Sequence, residues 1–287
     1  DGTTYSFMYG DVLFLVYSLQ DYWKGSYNLS TLTSTYLTND VGNWFREQVA
    51  AHPEAKWRVA LVHKNVFSGS GHQEDEETPL FRETMLPIFK DCEIDLVLQG
   101  HDHCYEIIGP VDADTRTPIL NAISDVETVP MNMVSNMTGK KGGVFNVNDG
   151  TLYFIGATCG TKRYNPNHKL TMEADYEKHK VENYYDLFTG MFGQPGRPSY
   201  SSFTVDGNII TVNSYKVYEG MEPLLFNTFH IKRTREHTPY SEKAHKTLEQ
   251  MIQEYGTVKI LHNGNMLIVR ENIAYDTLGQ LIYDNRD

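Results

Sequence analysis

Two histidines separated by one residue, His101 and His103, follow the short apolar run Ile94-Asp95-Leu96-Val97-Leu98 and the glycine Gly100. The run reads as a buried strand. In extended chain, positions i and i+2 point to the same side. The two imidazoles can therefore converge just past the strand's carboxyl end, where α/β folds place ligands and catalytic groups. Imidazole is the commonest side-chain metal ligand, so metal binding is weighed here against two ordinary polar loop residues. A second apolar run, Trp57-Arg58-Val59-Ala60-Leu61-Val62, ends in His63. The loop after it carries Gly69-Ser70-Gly71-His72, and a helical pattern covers residues 78–91. Strand, loop, helix and strand form a βαβ-like unit. If its strands are parallel neighbours, His63 and His101 share one sheet edge.

The flanking elements follow from pattern. Residues 4–9 and 12–18 read as a hairpin around Gly10-Asp11. Residues 19–37 read as a loop, and Thr38 or Asn39 as the cap of a helix reaching Ala51, with Val41, Trp44, Phe45 and Val49 on one face. In the helix over 78–91, Leu80, Phe81, Met85, Ile88 and Phe89 form an apolar face and Pro87 should kink it. The acidic run Glu74-Asp75-Glu76-Glu77 reads as a solvated loop and helix start favoured by the dipole, not as a metal site. Asp95 and Glu106 read as surface or turn residues. A strand is expected from Tyr105 to Ile108, a long weakly patterned loop over 109–148, a strand over 151–157, and a short helix near 184–192. Residues 201–205 and 209–217 form a hairpin around Asp206-Gly207. The tail, 219–287, reads as an appended α+β unit: a strand over 225–233, a helix over 240–255 and a hairpin around Asn263-Gly264-Asn265. Nothing in it suggests chemistry, and His168 and His179 lie in a polar stretch that suggests none either.

A chain of 287 residues with ordinary apolar and charged fractions can bury a large core. Its net charge of −12 argues against nucleic acid and anionic membrane as partners. It does not argue against a phosphorylated substrate, because bound cations can dominate a local field. The sequence has no apolar run of membrane-spanning length. Three cysteines, Cys92, Cys104 and Cys159, form no C-x-x-C pair and no disulfide framework. Two glycosylation sequons begin at Asn28 and Asn136.

The motifs WRVALVHKNVFSGSGH (from Trp57), PLFRETMLPIFKDCEIDLVLQGHDHCYE (from Pro79), GTLYFIGATCGTKRY (from Gly150) and SYSSFTVDGNIITVNSYKV (from Ser199), in this order, resemble the calcineurin-like metallophosphoesterases, most closely their purple acid phosphatase-like branch. The resemblance covers about residues 4–218. It implies an α/β fold, a two-sheet β-sandwich flanked by helices, with residues 1–218 as the C-terminal part of the catalytic domain. It implies two metal ions, of Fe, Zn or Mn, and a metal-dependent hydrolase acting on phosphate esters, monoesters before diesters, by a two-metal hydroxide mechanism. His63 and His101 match ligands of one metal and His103 a ligand of the other. His72 falls where the family has an outer-sphere histidine that contacts phosphate and can protonate the leaving group. Asp102 and Tyr105 match flanking residues, and Lys64 departs from the family pattern.

The family's D-x-H, G-D-x-x-Y and G-N-H-E blocks, which carry its carboxylate, tyrosine and asparagine ligands, have no counterpart in this sequence. The expected partner is therefore an N-terminal half of the domain, from the same precursor, a second chain or another copy. Without it, strands 57–62 and 94–98 should be left with an exposed apolar edge and face. A secreted or periplasmic location is expected rather than a cytoplasmic one. Two other classes stay open on the residues: a protein in which His63, His101 and His103 hold a single zinc, and a non-catalytic interaction half-domain.

Overall fold

The structure is a computed structural model that describes residues 4–19, 41–132, 137–166 and 184–238, and the strand segments 258–262, 265–270, 273–275 and 281–284. Residues 20–37 of the expected loop, the cap at Thr38 or Asn39, both sequons, His168, His179 and the expected helix over 240–255 lie outside the described residues. The chain divides into two compact units, Asp1–Tyr240 and Ser241–Asp287.

In the first unit, the hairpin of β1 (Tyr5–Tyr9) and β2 (Val12–Val16) turns at Gly10, whose φ of +58° suits glycine. Helix α1 (Gly42–Ala51) leads to β3 (Trp57–Leu61), and helix α2 (Glu77–Asp91) to β4 (Leu96–Leu98). β3 and β4 are parallel neighbours with Val59 opposite Leu96 and Leu61 opposite Leu98. The βαβ unit is therefore as the sequence pattern requires. Pro87 stands inside α2 without ending it.

The remaining strands are β5 (Tyr105–Val111), β6 (Ile123–Asn132), β7 (Met137–Asn146), β8 (Thr151–Gly156), β9 (Met191–Gly193), β10 (Ser199–Asp206), β11 (Ile209–Lys216) and β12 (Leu224–Lys232). The sheet runs β1-β2-β3-β4-β8-β5-β9-β7-β12-β11-β10, with β6 paired to β7. The two layers of the sandwich are thus the halves of one continuous sheet.

The two faces of the first half carry two cores, and the side-chain alternation of a strand sorts residues between them. Leu13, Leu15, Ala60, Val97 and Tyr153 pack with Phe45 and Val49 of α1 and Phe81, Met85 and Phe89 of α2. Val12, Trp57, Val59, Leu96, Leu152 and Phe154 instead pack with Phe145 of β7, Ile210 and Val212 of β11 and Phe229 and Ile231 of β12. Burying each such side chain is worth about 1.5–3 kcal/mol. Tyr105 joins the halves: its hydroxyl pairs with Ser214 Oγ at 2.9 Å and accepts from Asn227 Nδ2 at 3.0 Å.

Three expectations are corrected. β3 and β4 lie inside the sheet between β2 and β8 with both faces covered, so strands 57–62 and 94–98 are not left with an exposed apolar edge or face. Residues 109–148 are mostly strand, because β6 and β7 form a hairpin in that interval. β12 is hydrogen-bonded between β7 and β11 and belongs to the sheet of the first unit. The short helix near 184–192 is a single 3-10 turn, Tyr184–Leu187, followed by β9. The second unit holds β13 (Val258–His262), β14 (Asn265–Arg270), β15 (Ile273–Tyr275) and β16 (Leu281–Asp284), an antiparallel sheet in sequence order. Among the described residues no helix is long and apolar enough to cross a membrane.

Candidate metal centre

His63 lies two residues beyond β3 and His101 three beyond β4. The Gly100 N–H donates to the His63 carbonyl at 3.2 Å, which ties the two strand ends together. Only a residue without Cβ fits easily here, since a Cβ on Gly100 would lie 3.1 Å from His63 Nδ1. The His63 and His101 rings stand 5.3 Å apart, edge to face.

His101 does not continue the strand. Its φ is +68°, in the left-handed region that costs a residue with a Cβ about 1–2 kcal/mol. The strand alternation that suggested a convergent His101 and His103 therefore does not operate, and each ring is aimed by its own contacts. His103 stacks on Tyr164 at 4.6 Å, and its Nδ1 lies 2.9 Å from the Lys162 carbonyl. Gln194 Nε2 donates to the His103 carbonyl at 2.8 Å.

The Gly/Ser loop is buried over Asn65–Ser70. Its backbone finds side-chain partners from three directions, as buried polar groups must. Gln99 Oε1 accepts from the amides of Val66 and Phe67 at 2.7 and 3.2 Å. Arg82 Nε donates to the Val66 carbonyl at 3.1 Å, and the Ser68 amide donates to Tyr184 Oη at 3.0 Å. Asp102 accepts from Ser68 Oγ, Ser70 Oγ and Asn65 Nδ2, and Glu106 from the Gly69 amide. Glu106 is fully buried, not at the surface. Burial first, and then the neighbouring Asp102, hold its carboxyl well above the usual range. Burial raises Asp102 too, against the opposing hydrogen bonds from Ser68 and Ser70.

Gly69 is the tightest point of this loop. A Cβ there would meet Phe192 Cε2 at 2.2 Å and Phe188 Cε1 at 2.9 Å. Gly69→Ala is therefore expected to destabilise the fold by about 1–3 kcal/mol, the usual cost of overpacking a well-filled site. Urea unfolding checks this; an unchanged midpoint would mean that the two rings can move aside freely.

The loop ends in a 3-10 turn, Gly71–Glu74, that brings His72 over the site. The His72 and His101 rings lie 3.7 Å apart. Asp75, read from sequence as solvated, stands between them: Oδ2 is 3.1 Å from His72 Nδ1 and 3.7 Å from His101 Nε2. Lys64 Nζ also reaches Asp75 Oδ2, at 3.4 Å, and is anchored on Glu77 Oε1 at 2.6 Å. Among the described residues, one ligand atom each from His72, Asp75 and His101 lie within 4.8 Å of one another; His63 and His103 fall outside this group.

Desolvation pushes His101 down to about 4, helped by the nearby His72, Lys64 and His63. Desolvation also lowers His63, with Lys64, His103 and His72 adding to it. Both rings are then neutral at neutral pH and keep the lone pair that a metal needs. Neutral imidazoles with a nearby carboxylate suit a divalent first-row cation, so the donor set fits the metals implied by the sequence.

The Calcineurin-like phosphoesterase family model matches residues 1–105. Purple acid phosphatase 3 of Arabidopsis thaliana is 35% identical over 85 residues, 29% of this chain and 21% of that protein. An uncharacterised protein of Mycobacterium tuberculosis is 28% identical over 127 residues, 41% of this chain and 23% of that one. The solved structure of purple acid phosphatase PPD1 from yellow lupin (Lupinus luteus) seeds aligns over 80% of this chain and 32% of its own, at 16% identity and a TM-score of 0.46. The chain thus spans between a fifth and a quarter of the length of these two curated relatives.

Proposed function

We propose, for a chain that belongs to the calcineurin-like phosphoesterases and to their purple acid phosphatase-like branch, that it carries the histidine side of a metal-dependent phosphate-ester hydrolase. Phosphomonoesters are the expected substrates. The observation that carries this reading is the placing of His63 and His101 at the carboxyl ends of the parallel neighbours β3 and β4, with His72 over them. His63 and His101 would hold one metal and His103 the other. A bound metal pair supplies Lewis-acid stabilisation of the phosphoryl oxygens and an activated water nucleophile.

The chain's own residues do the rest. Gly100 lets the two strand ends close until His63 and His101 face one space. The buried Gly/Ser loop, pinned by Gln99, Arg82, Asp102 and Glu106, fixes the 3-10 turn that carries His72. Asp75 engages His72 Nδ1, leaving Nε2 to face substrate and to donate to the departing oxygen. The carboxylate, tyrosine and asparagine ligands of the family would come from a further segment of the catalytic domain. Its place would be beside β1, one end of the sheet among the described residues, where Tyr5, Phe7 and Tyr9 are exposed.

His72→Ala in the complete protein tests this reading. A group that protonates or hydrogen-bonds a leaving oxygen is typically worth about 10²–10⁴-fold. The expected loss in turnover is of that size on alkyl phosphates and much smaller on p-nitrophenyl phosphate, whose leaving group needs no proton. An equal loss on both substrates, or none, would remove His72 from this role.

A further inference from the structure

We infer that Lys162 selects phosphate esters whose leaving group carries a second anionic group, a carboxylate or another phosphate. This rests on the phosphoesterase reading above and names a substrate class for the same site. The segment after β8 carries Lys162 and is tied to the site at several points. His103 Nδ1 lies 2.9 Å from the Lys162 carbonyl. The Tyr164 carbonyl accepts from Gln194 Nε2 at 2.7 Å and from Cys104 Sγ at 3.2 Å. The same Gln194 nitrogen donates to the His103 carbonyl at 2.8 Å. The Tyr164 ring stacks on His103 at 4.6 Å and meets His72 edge to face at 5.2 Å. Tyr164 therefore touches both the histidine assigned to a metal and the histidine assigned to the departing oxygen.

The Lys162 ammonium lies over the Tyr164 ring, 5.1 Å from its centroid. The negative face of an aromatic ring attracts a cation. Both ends of the lysine are thus placed, its carbonyl by His103 and its ammonium by Tyr164. Through the shared ring, the charge stands within a Debye length, about 10 Å at moderate salt, of both imidazoles. Lys56, Lys64 and Lys90 each hold a carboxylate; Lys162 is exposed and has no carboxylate partner among the described residues. The net charge of −12 repels anions at long range. Favouring an anionic leaving group therefore needs a cation that is fixed at the site and not already neutralised, and Lys162 is both. A leaving group that extends from His72 along Tyr164 carries its outer substituents to this ammonium.

Two esters of matched shape test this with the complete protein. They are p-carboxyphenyl phosphate and p-carbamoylphenyl phosphate, whose leaving groups differ by one negative charge. Lys162→Met removes the cation, keeps an unbranched side chain over Tyr164 and leaves the backbone carbonyl for His103. The quantity read is the ratio of kcat/KM for the carboxylate ester to that for the amide. It should fall about tenfold or more in Lys162→Met, the usual cost of losing a hydrogen bond between charged groups. It should stay near the parent's value in Lys162→Arg, which restores the charge. With both esters hydrolysed, an unchanged ratio in Lys162→Met, or an equal fall in both variants, would overturn the inference and leave the phosphoesterase reading standing. No hydrolysis of either ester by the parent would remove that reading and this inference with it.

Discussion

Replacing His101 is expected to abolish hydrolysis in the complete protein and to strip its metal, with a loss beyond the roughly 10²–10⁴-fold of a single acid–base group. His101 faces His63 across 5.3 Å and lies close to His72 and Asp75. It also sits at φ +68°. Strain of this kind persists where the surroundings over-determine it, and function is one reason that they do. His101→Ala and His101→Gly separate the two properties. Both should lose metal, but the glycine variant should be the more stable of the two by about 1 kcal/mol, because glycine adopts positive φ without steric cost. Metal content by mass spectrometry and urea unfolding read the two effects. Full metal occupancy in either variant would remove His101 from the centre. Equal stability would mean that the backbone there is not strained.

The second large effect lies at the opposite end of the strands. Asp95 is fully buried and accepts from the Arg58 amide at 2.8 Å and from Arg233 Nη1 at 2.8 Å; His237 Nε2 lies 3.0 Å away. Arg233 and His237 are almost as buried. This carboxylate joins the start of β4 to the start of β3 and to the segment after β12. Asp95→Ala is expected to destabilise the first unit by about 3–5 kcal/mol, the usual result of leaving a buried charge without its partner. Asp95→Asn keeps an acceptor and should cost less. Urea unfolding is the measurement, and a loss under about 1 kcal/mol for Asp95→Ala would mean that Glu93, also on Arg233, suffices.

The apolar runs that make β3 and β4 and the helix between them were legible because each carries an unbroken period and a terminating signal. The hairpin β6–β7 was not. Gly139, Gly142 and Gly143 interrupt the alternation of β7, each at positive φ, so the pattern reads as loop while the backbone still pairs. At the site, histidines announce themselves by residue type and by their place after a strand. Asp75 does not. It is one of four consecutive acidic residues, and only the 3-10 turn before it decides which of them faces His101. Asp95 and Glu106 were misread for a related reason. Their partners stand far away in sequence, Arg233 and His237 for Asp95 and Gly69 for Glu106, and a charge is placed inside by its partners rather than by its neighbours.

The position of β12 governs how this chain must be made. Its residues, Leu224–Lys232, complete the edge of β7 at Val144–Asn146. On a ribosome, β7 emerges first and waits several seconds for that partner at roughly 5–20 residues per second. Until then the facing halves of the sheet cannot close over Phe145 and Phe154, and Phe229 and Ile231 are not yet there to cover them. Nascent chains stalled before β12, and fragments cut after β11, should therefore be clients for chaperones and proteases rather than smaller working versions of the protein.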